Sequence, residues 1–380
     1  MLPASPSTPL RASERILLGP GPSLMSPRVM KALGAPMLSH LDPQFVEIMD
    51  DVRARLARVF QAPDGSFAFA VSGTGTSAME TATANLIAPG TRVLAVVTGY
   101  FADRLAQMAT RYGGEVRRVD AEWGRAIDPE HVRKALKESG ADVVTIVHAE
   151  TSTGVLNPVK EVAAIAREHG ALVIVDAVTS LGGMPLDVAG WGLDAVYSCS
   201  QKCLGAPSGM SPIVFSPRAL EKKVTCRSFY FDVTLLEDYW VRRKYHHTMS
   251  ASLIYALREA LAGVEEEGLQ ARWARHERNH LAFVKALDRL GLSILPSPAE
   301  RLWTLNAVRV PQGVDDAAVR KYLLQHHNIE IGAGLGPLAG KVFRIGLMGT
   351  SSSQELVDLL SAALEKALNS LVQGLHKSGA

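Results

Sequence analysis

From residue 40 onward, short apolar and β-branched runs alternate with stretches whose apolar residues recur at helical spacing. The pattern predicts strands at Phe67 to Val71, Arg92 to Val97, Val116 to Val119, Asp142 to Val147, Leu172 to Asp176 and Ala195 to Ser198. It predicts helices at Thr76 to Ile87, Phe101 to Tyr112, Pro129 to Glu138 and Val159 to Glu168. Pro129 behind Asp128 makes a good helix start, and Gly170 after Glu168 and His169 a good stop. Strands separated by helices imply βαβ units, hence an α/β fold with a mostly parallel sheet covered on both faces. The pattern then changes. Two long helices, Thr248 to Glu267 and Leu269 to Leu290, are separated at Gly268. A strand at Trp303 to Val310, a helix at Asp315 to His327, a strand at Val342 to Gly346 and a helix from Gln354 follow. This divides the chain into an N-terminal arm (1–15), a large domain (16–267) and a small α+β domain (268–380). Sheets of the first kind bind ligands beyond the carboxyl ends of their strands.

Composition narrows the function classes. The 380 residues carry 40 Lys and Arg against 38 Asp and Glu, a net charge of +2, with 47% hydrophobic and 21% charged residues. That balance argues against a disordered chain and against a nucleic-acid partner held by a basic surplus. The length fits two domains. Three cysteines, Cys199, Cys203 and Cys226, form no CxxC pair, which argues against a disulfide scaffold or a cysteine zinc site. No run reaches the ~20 apolar residues of a membrane helix. Met1 to Ser13 is rich in Pro and Ser without an apolar core, and the C-terminal residues match no retention or peroxisomal tag. The expected address is the cytoplasm, with no membrane partner.

Three segments carry candidate chemistry. Ser72-Gly73-Thr74-Gly75-Thr76-Ser77-Ala78 lies between a strand and a helix, where a helix N-terminus offers free N–H groups to an anion. A dinucleotide site needs an acid at the end of the next strand. That strand ends Val97-Thr98-Gly99-Tyr100, so a phosphate cradle is the better reading, beside a plain glycine turn. Asp176 closes an apolar run, and a carboxylate there needs a cation or hydrogen-bond donors; a cap or a core hydrogen bond is the bland alternative. Lys202 is the one charged residue from Ala195 to Ser216. Burial would favour its neutral amine, the form that attacks carbonyls, whereas a snorkelling lysine would carry no chemistry. A fourth segment, His276-Glu277-Arg278-Asn279-His280, fits the zinc-hydrolase pattern H-E-x-x-H. Arg272, Arg275 and Arg278 surround it with positive charge, and it reads as a solvent-facing helix. The adjacent pairs His246-His247 and His326-His327 read as packing or surface residues, and Cys199 and Cys203 as core.

The loop, the strand-end aspartate and the lysine together resemble the class V, fold-type I aminotransferases that use pyridoxal 5′-phosphate (PLP). The alanine–glyoxylate / serine–pyruvate group is the nearest likeness. Further landmarks are Leu18-Gly19-Pro20-Gly21-Pro22, Glu150-Thr151-Ser152-Thr153-Gly154, Asp176-Ala177-Val178-Thr179-Ser180, Ser200-Gln201-Lys202, Tyr245-His246-His247-Thr248 and Phe343-Arg344-Ile345-Gly346-Leu347. The resemblance implies transamination from alanine or serine to glyoxylate or pyruvate by a ping-pong mechanism. It makes Lys202 the internal-aldimine lysine and Asp176 the partner of the ring nitrogen. It places Thr74, Gly75, Thr76 and Gln201 at the phosphate, Phe101 and Val178 on the two ring faces, and Ser152 near the ring hydroxyl. Arg344 becomes the clamp for the substrate carboxylate, with Gly21 and Ser152 also at the substrate. Tyr245 and Thr248 would reach the phosphate of a neighbouring subunit, so the expected assembly is a homodimer with shared sites and no resident metal. Some members, vertebrate relatives included, have Trp at the position of Phe101 and His at that of Thr76. The other readings are a different class V reaction, the zinc hydrolase, and a non-catalytic relative.

Overall fold

The computed structural model describes residues 11–378. Its main sheet has seven strands in the spatial order Phe67–Gly73, Gly209–Phe215, Ala195–Tyr197, Leu172–Asp176, Val143–Val147, Arg92–Val97 and Glu115–Asp120. Six of these fall where the apolar pattern puts them. The seventh, Gly209–Phe215, runs antiparallel between two neighbours. Pro212 hides it from a pattern reading, because a proline counts against a central strand. Its carbonyl still accepts from the Ser198 N–H at 2.8 Å.

The helices Gly75–Leu86, Tyr100–Arg111, Pro129–Ser139 and Val159–Glu168 follow the pattern closely. Pro43–Val59 and Ala251–Glu267 pack on one another and on the sheet, burying Phe45, Met49, Leu56 and Ile254 in one core with Phe69, Phe215 and Trp240. Each large side chain so buried contributes about 1.5–3 kcal/mol. A second core forms around the antiparallel sheet of Leu305–Arg309, Val342–Gly346 and Gly332–Ala333, with Phe283, Phe343, Leu360 and Leu364. The start of the described chain joins this second core. Ile16–Leu17 pairs in parallel with Ile329–Glu330, and Leu18 is buried there.

The consequence for chemistry lies at the carboxyl ends of the parallel strands. Because they point the same way, Thr74, Phe101, Thr151, Asp176 and Lys202 all emerge at one edge of the sheet. The strand pairing of Ile16–Leu17 delivers Gly19 to Pro22 to the same place. Among the described residues no helix is long and apolar enough to cross a membrane.

Candidate active site

The strand Phe67–Gly73 ends in a glycine at φ +139°, where a Cβ would lie 2.5 Å from the Ser77 Oγ. Thr74, the N-cap of the following helix, makes no side-chain capping bond; Ser77 N donates to Thr74 O at 2.7 Å, and the Gly75 and Thr76 N–H groups are left for a ligand. A Cβ on Gly75 would come 2.9 Å from Val178 Cγ2, so glycine keeps the gap between these two loops open. A cavity of about 180 Å³ sits here, walled by Thr74, Gly75, Thr76, Phe101, Asp176, Val178, Gln201 and Lys202. Eight residues expected around one group thus share one space.

Asp176 ends its strand almost fully buried, its Oδ1 accepting from Val178 N at 2.8 Å and its Oδ2 from the Tyr197 hydroxyl at 3.0 Å. Burial pushes its carboxyl up to about 7. Among the described residues no cation is bonded to it, and a cation beside it would favour its ionised form. Lys202 is displaced the opposite way. Burial lowers its amine from the ordinary range, and nearby Arg344 lowers it further. Its Nζ donates to the Pro20 carbonyl. Gly21 covers it so closely, at φ +108°, that a Cβ would stand 2.7 Å from that Nζ. Gln201 Oε1 is buried with no hydrogen-bond partner among the described residues. A phosphorylated, flat, cationic ring fits this set of groups: a helix N-terminus, two opposed apolar walls, a buried carboxyl and an amine.

Arg344 comes from the middle strand of the small sheet. Its Nε donates to Ala333 O at 2.6 Å, and its terminal nitrogens bond nothing among the described residues. Burial lowers it to about 10, offset in part by Glu150. That leaves a fork free for a carboxylate. Ser152 lies behind the wall, where Thr151 lines the cavity. Its Oγ donates to Glu150 Oε1 at 2.6 Å and accepts from Tyr100 N at 3.0 Å. Tyr245 and Thr248 are not at their own chain's cavity. They lie exposed, with hydroxyls 3.5 Å apart.

Three residues were given no role by the sequence reading. Arg104 lines the cavity, donates to Thr76 Oγ1 at 3.3 Å and holds its guanidinium 5.2 Å from the Phe101 ring centre. Its spacing of three from Phe101 on one helix was the available signal. Tyr197 carried none, and Glu150 stood in the Glu150-to-Gly154 landmark without a role of its own. The fully buried Glu150 accepts from Ala102 N and the Ser152 hydroxyl, tying the Phe101 helix to the Ser152 turn.

The H-E-x-x-H segment does not face solvent as expected. His276 and His280 are buried, because this face of the helix Leu269–Arg289 packs against the second sheet and the loop at Gly349. Both ring nitrogens of His276 are engaged: Nδ1 bonds Arg272 O at 2.7 Å, and Nε2 accepts from Gly349 N at 3.0 Å. His280 Nδ1 is spent on Asn306 Oδ1, and Glu277 points outward. Among the described residues no group of three or more His, Cys, Asp or Glu could hold a metal. Cys199 and Cys203 are buried, their thiols pushed up to about 12, which leaves them unreactive.

This sheet, with a lysine, an aspartate and a helix N-terminus gathered at its carboxyl edge, has the architecture of the fold-type I aminotransferases. Residues 23–360 match the Aminotransferase class-V family, and the chain belongs to it. It is 39% identical over 97% of its length to an alanine–glyoxylate aminotransferase of Drosophila melanogaster, covering 95% of that protein. It is 36% identical over 95% of its length to an (S)-ureidoglycine–glyoxylate transaminase of Bacillus subtilis, covering 91% of it. The crystal structure of an alanine–glyoxylate aminotransferase from Nostoc sp. superposes with a TM-score of 0.93 at 46% identity, covering 96% of this chain and 98% of that one. The chain is an aminotransferase.

Proposed function

We propose that this aminotransferase uses PLP to move an amino group from alanine or serine to glyoxylate or pyruvate. The observation that carries the reading is the opposed pair in one cavity: a carboxyl raised by burial and a lysine lowered by it. Two relatives with different donors both name glyoxylate, so the acceptor is better supported than the donor.

In this reading Thr74, Gly75, Thr76 and Gln201 hold the phosphate, and Phe101 and Val178 sandwich the ring. Asp176 would pass its proton to the ring nitrogen and, as the anion left behind, hold the positive charge there. Arg344 grips the substrate carboxylate, which orients the Cα–H toward Lys202. The Lys202 amine, its pKa lowered by burial, would take that proton and return it on the other side of the exchange. When bound, the cofactor supplies the electron sink that makes this proton acidic. The exposed hydroxyls of Tyr245 and Thr248 suit phosphate oxygens of a second subunit, which makes the proposed assembly a homodimer with shared sites.

The test is an absorption spectrum of the purified protein followed by borohydride reduction and peptide mapping. A visible band whose reduced adduct maps to Lys202, with turnover lost in Lys202→Ala, is the expected result. An adduct on another lysine overturns the assignment. A screen of amino donors against glyoxylate and pyruvate then assigns the substrates.

A further inference from the structure

The arginines preceding the histidine motif have a place in the fold that neither the zinc pattern nor the family resemblance explains. Arg272 is 5% exposed, yet it carries a full charge into the space between the two cores. Its Nε donates to Gly182 O at 2.9 Å, and its Nη2 to Cys203 O at 2.6 Å. Its Nη1 pairs with Glu267 at 2.6 Å. Gly182 belongs to the turn that follows Asp176, and Cys203 is the residue after Lys202. One guanidinium therefore holds the backbone behind both halves of the opposed pair.

The surroundings leave these carbonyls little freedom. A Cβ on Gly183 would stand 2.6 Å from Cys203 Sγ, and one on Gly349 would stand 3.0 Å from Cys203 O. The same helix fastens the Gly349 loop through His276 Nε2, and Arg275 reaches its carbonyl at 3.0 Å. Glu267 pairs with both arginines. A planar fork with donors at fixed angles defines the distance between two carbonyls, which a single ammonium cannot. Leaving either carbonyl buried without a donor would cost stability, so the fold has a physical reason to keep the arrangement.

We propose that Arg272 is a positioning residue for Lys202: by bridging Cys203 O and Gly182 O it sets the height of the lysine relative to Asp176. The residue touches neither substrate nor cofactor and acts through the two loops. This rests on the proposed role of Lys202. A misplacement of about 1 Å at a reacting group can cost about 100-fold in rate. Removing the bridge should therefore lower kcat by about 10- to 100-fold while leaving KM nearly unchanged.

The experiment compares Arg272→Met and Arg272→Lys with the wild type, all loaded with PLP and checked for folding by circular dichroism. Two quantities are read: kcat, and the pH midpoint at which the visible band of the cofactor on Lys202 titrates. The Met variant should shift that midpoint and lose the stated activity. The Lys variant keeps the charge and the Glu267 pairing but can satisfy one carbonyl, so it should fall between. A role limited to stability lowers the melting temperature without moving the midpoint. If the Met variant does not fold, the Lys variant decides. A folded variant with the wild-type midpoint and kcat overturns the proposal. Failure of the wild type to form any band on Lys202 defeats the PLP reading itself, a distinct outcome.

Discussion

Asp176→Asn separates what the buried carboxyl costs the fold from what it does for chemistry. Burial lifts this group from an ordinary value of 3.8 to about 7; the Val178 N–H, the Tyr197 hydroxyl and Lys202 oppose the rise, and Glu150 adds to it. In the cofactor-free chain the folded state thus keeps a proton, between about pH 4 and 7, that the unfolded chain has released. The sign follows: this contribution to stability is present in full below about pH 4 and is lost as pH rises through 7. At about 1.36 kcal/mol per pH unit, the full loss is on the order of 4 kcal/mol. Most of it, about 2.5 kcal/mol, falls between pH 5 and pH 8. Asparagine is neutral throughout, occupies the same space, and keeps an oxygen for the Val178 N–H. The cofactor-free Asn variant should therefore gain on the wild type by about 2.5 kcal/mol from pH 5 to pH 8. For 380 residues the unfolding entropy is about 0.8 kcal/mol per degree, so thermal melts should show the gap widening by about 3 °C. With saturating PLP at pH 8 the order reverses, because the wild-type anion then faces a cation. The same variant should lose about 100- to 1,000-fold in kcat. A melting gap that stays constant between the two pH values would refute the burial argument, and a near-normal kcat would refute the chemical role.

Arg344→Lys keeps a charge near the substrate but loses the fork, so KM should rise for both substrates of the exchange; steady-state kinetics showing a change for one alone would place the carboxylate clamp elsewhere. Mixing Lys202→Ala subunits with subunits carrying Tyr245→Phe and Thr248→Ala tests the shared site. One intact site per mixed dimer should restore activity at limiting PLP, and verified mixed dimers as inactive as the parents would confine each site to one chain.

Much of the molecule is legible in the amino-acid order because it is decided locally. Six strands and their intervening helices are encoded in side-chain periods that span a turn or a pleat, so they can be read without knowing what packs where. The ends of these elements carry most of the chemistry. A carboxylate closing the run Leu172 to Asp176, and a lysine alone in an uncharged segment, stand out as candidates for perturbation by burial, beside the blander readings of a cap and a surface lysine. What the sequence could not reveal depends on partners far along the chain. Gly209–Phe215 becomes a central strand only because two edges flank it, despite Pro212. The helix that was expected to face water buries His276 and His280, because the second sheet and the Gly349 loop come to lie against it. Tyr197 has no pattern of its own, and Glu150 and Arg104 gain their roles only from the groups placed beside them. Local order is set by the geometry of neighbouring residues, whereas the choice of a distant partner is set by which buried surfaces and polar groups can all be satisfied together. That is why the sequence determined the candidates Asp176 and Lys202, and the tertiary structure decided which carbonyls, carboxyls and arginines lie against them.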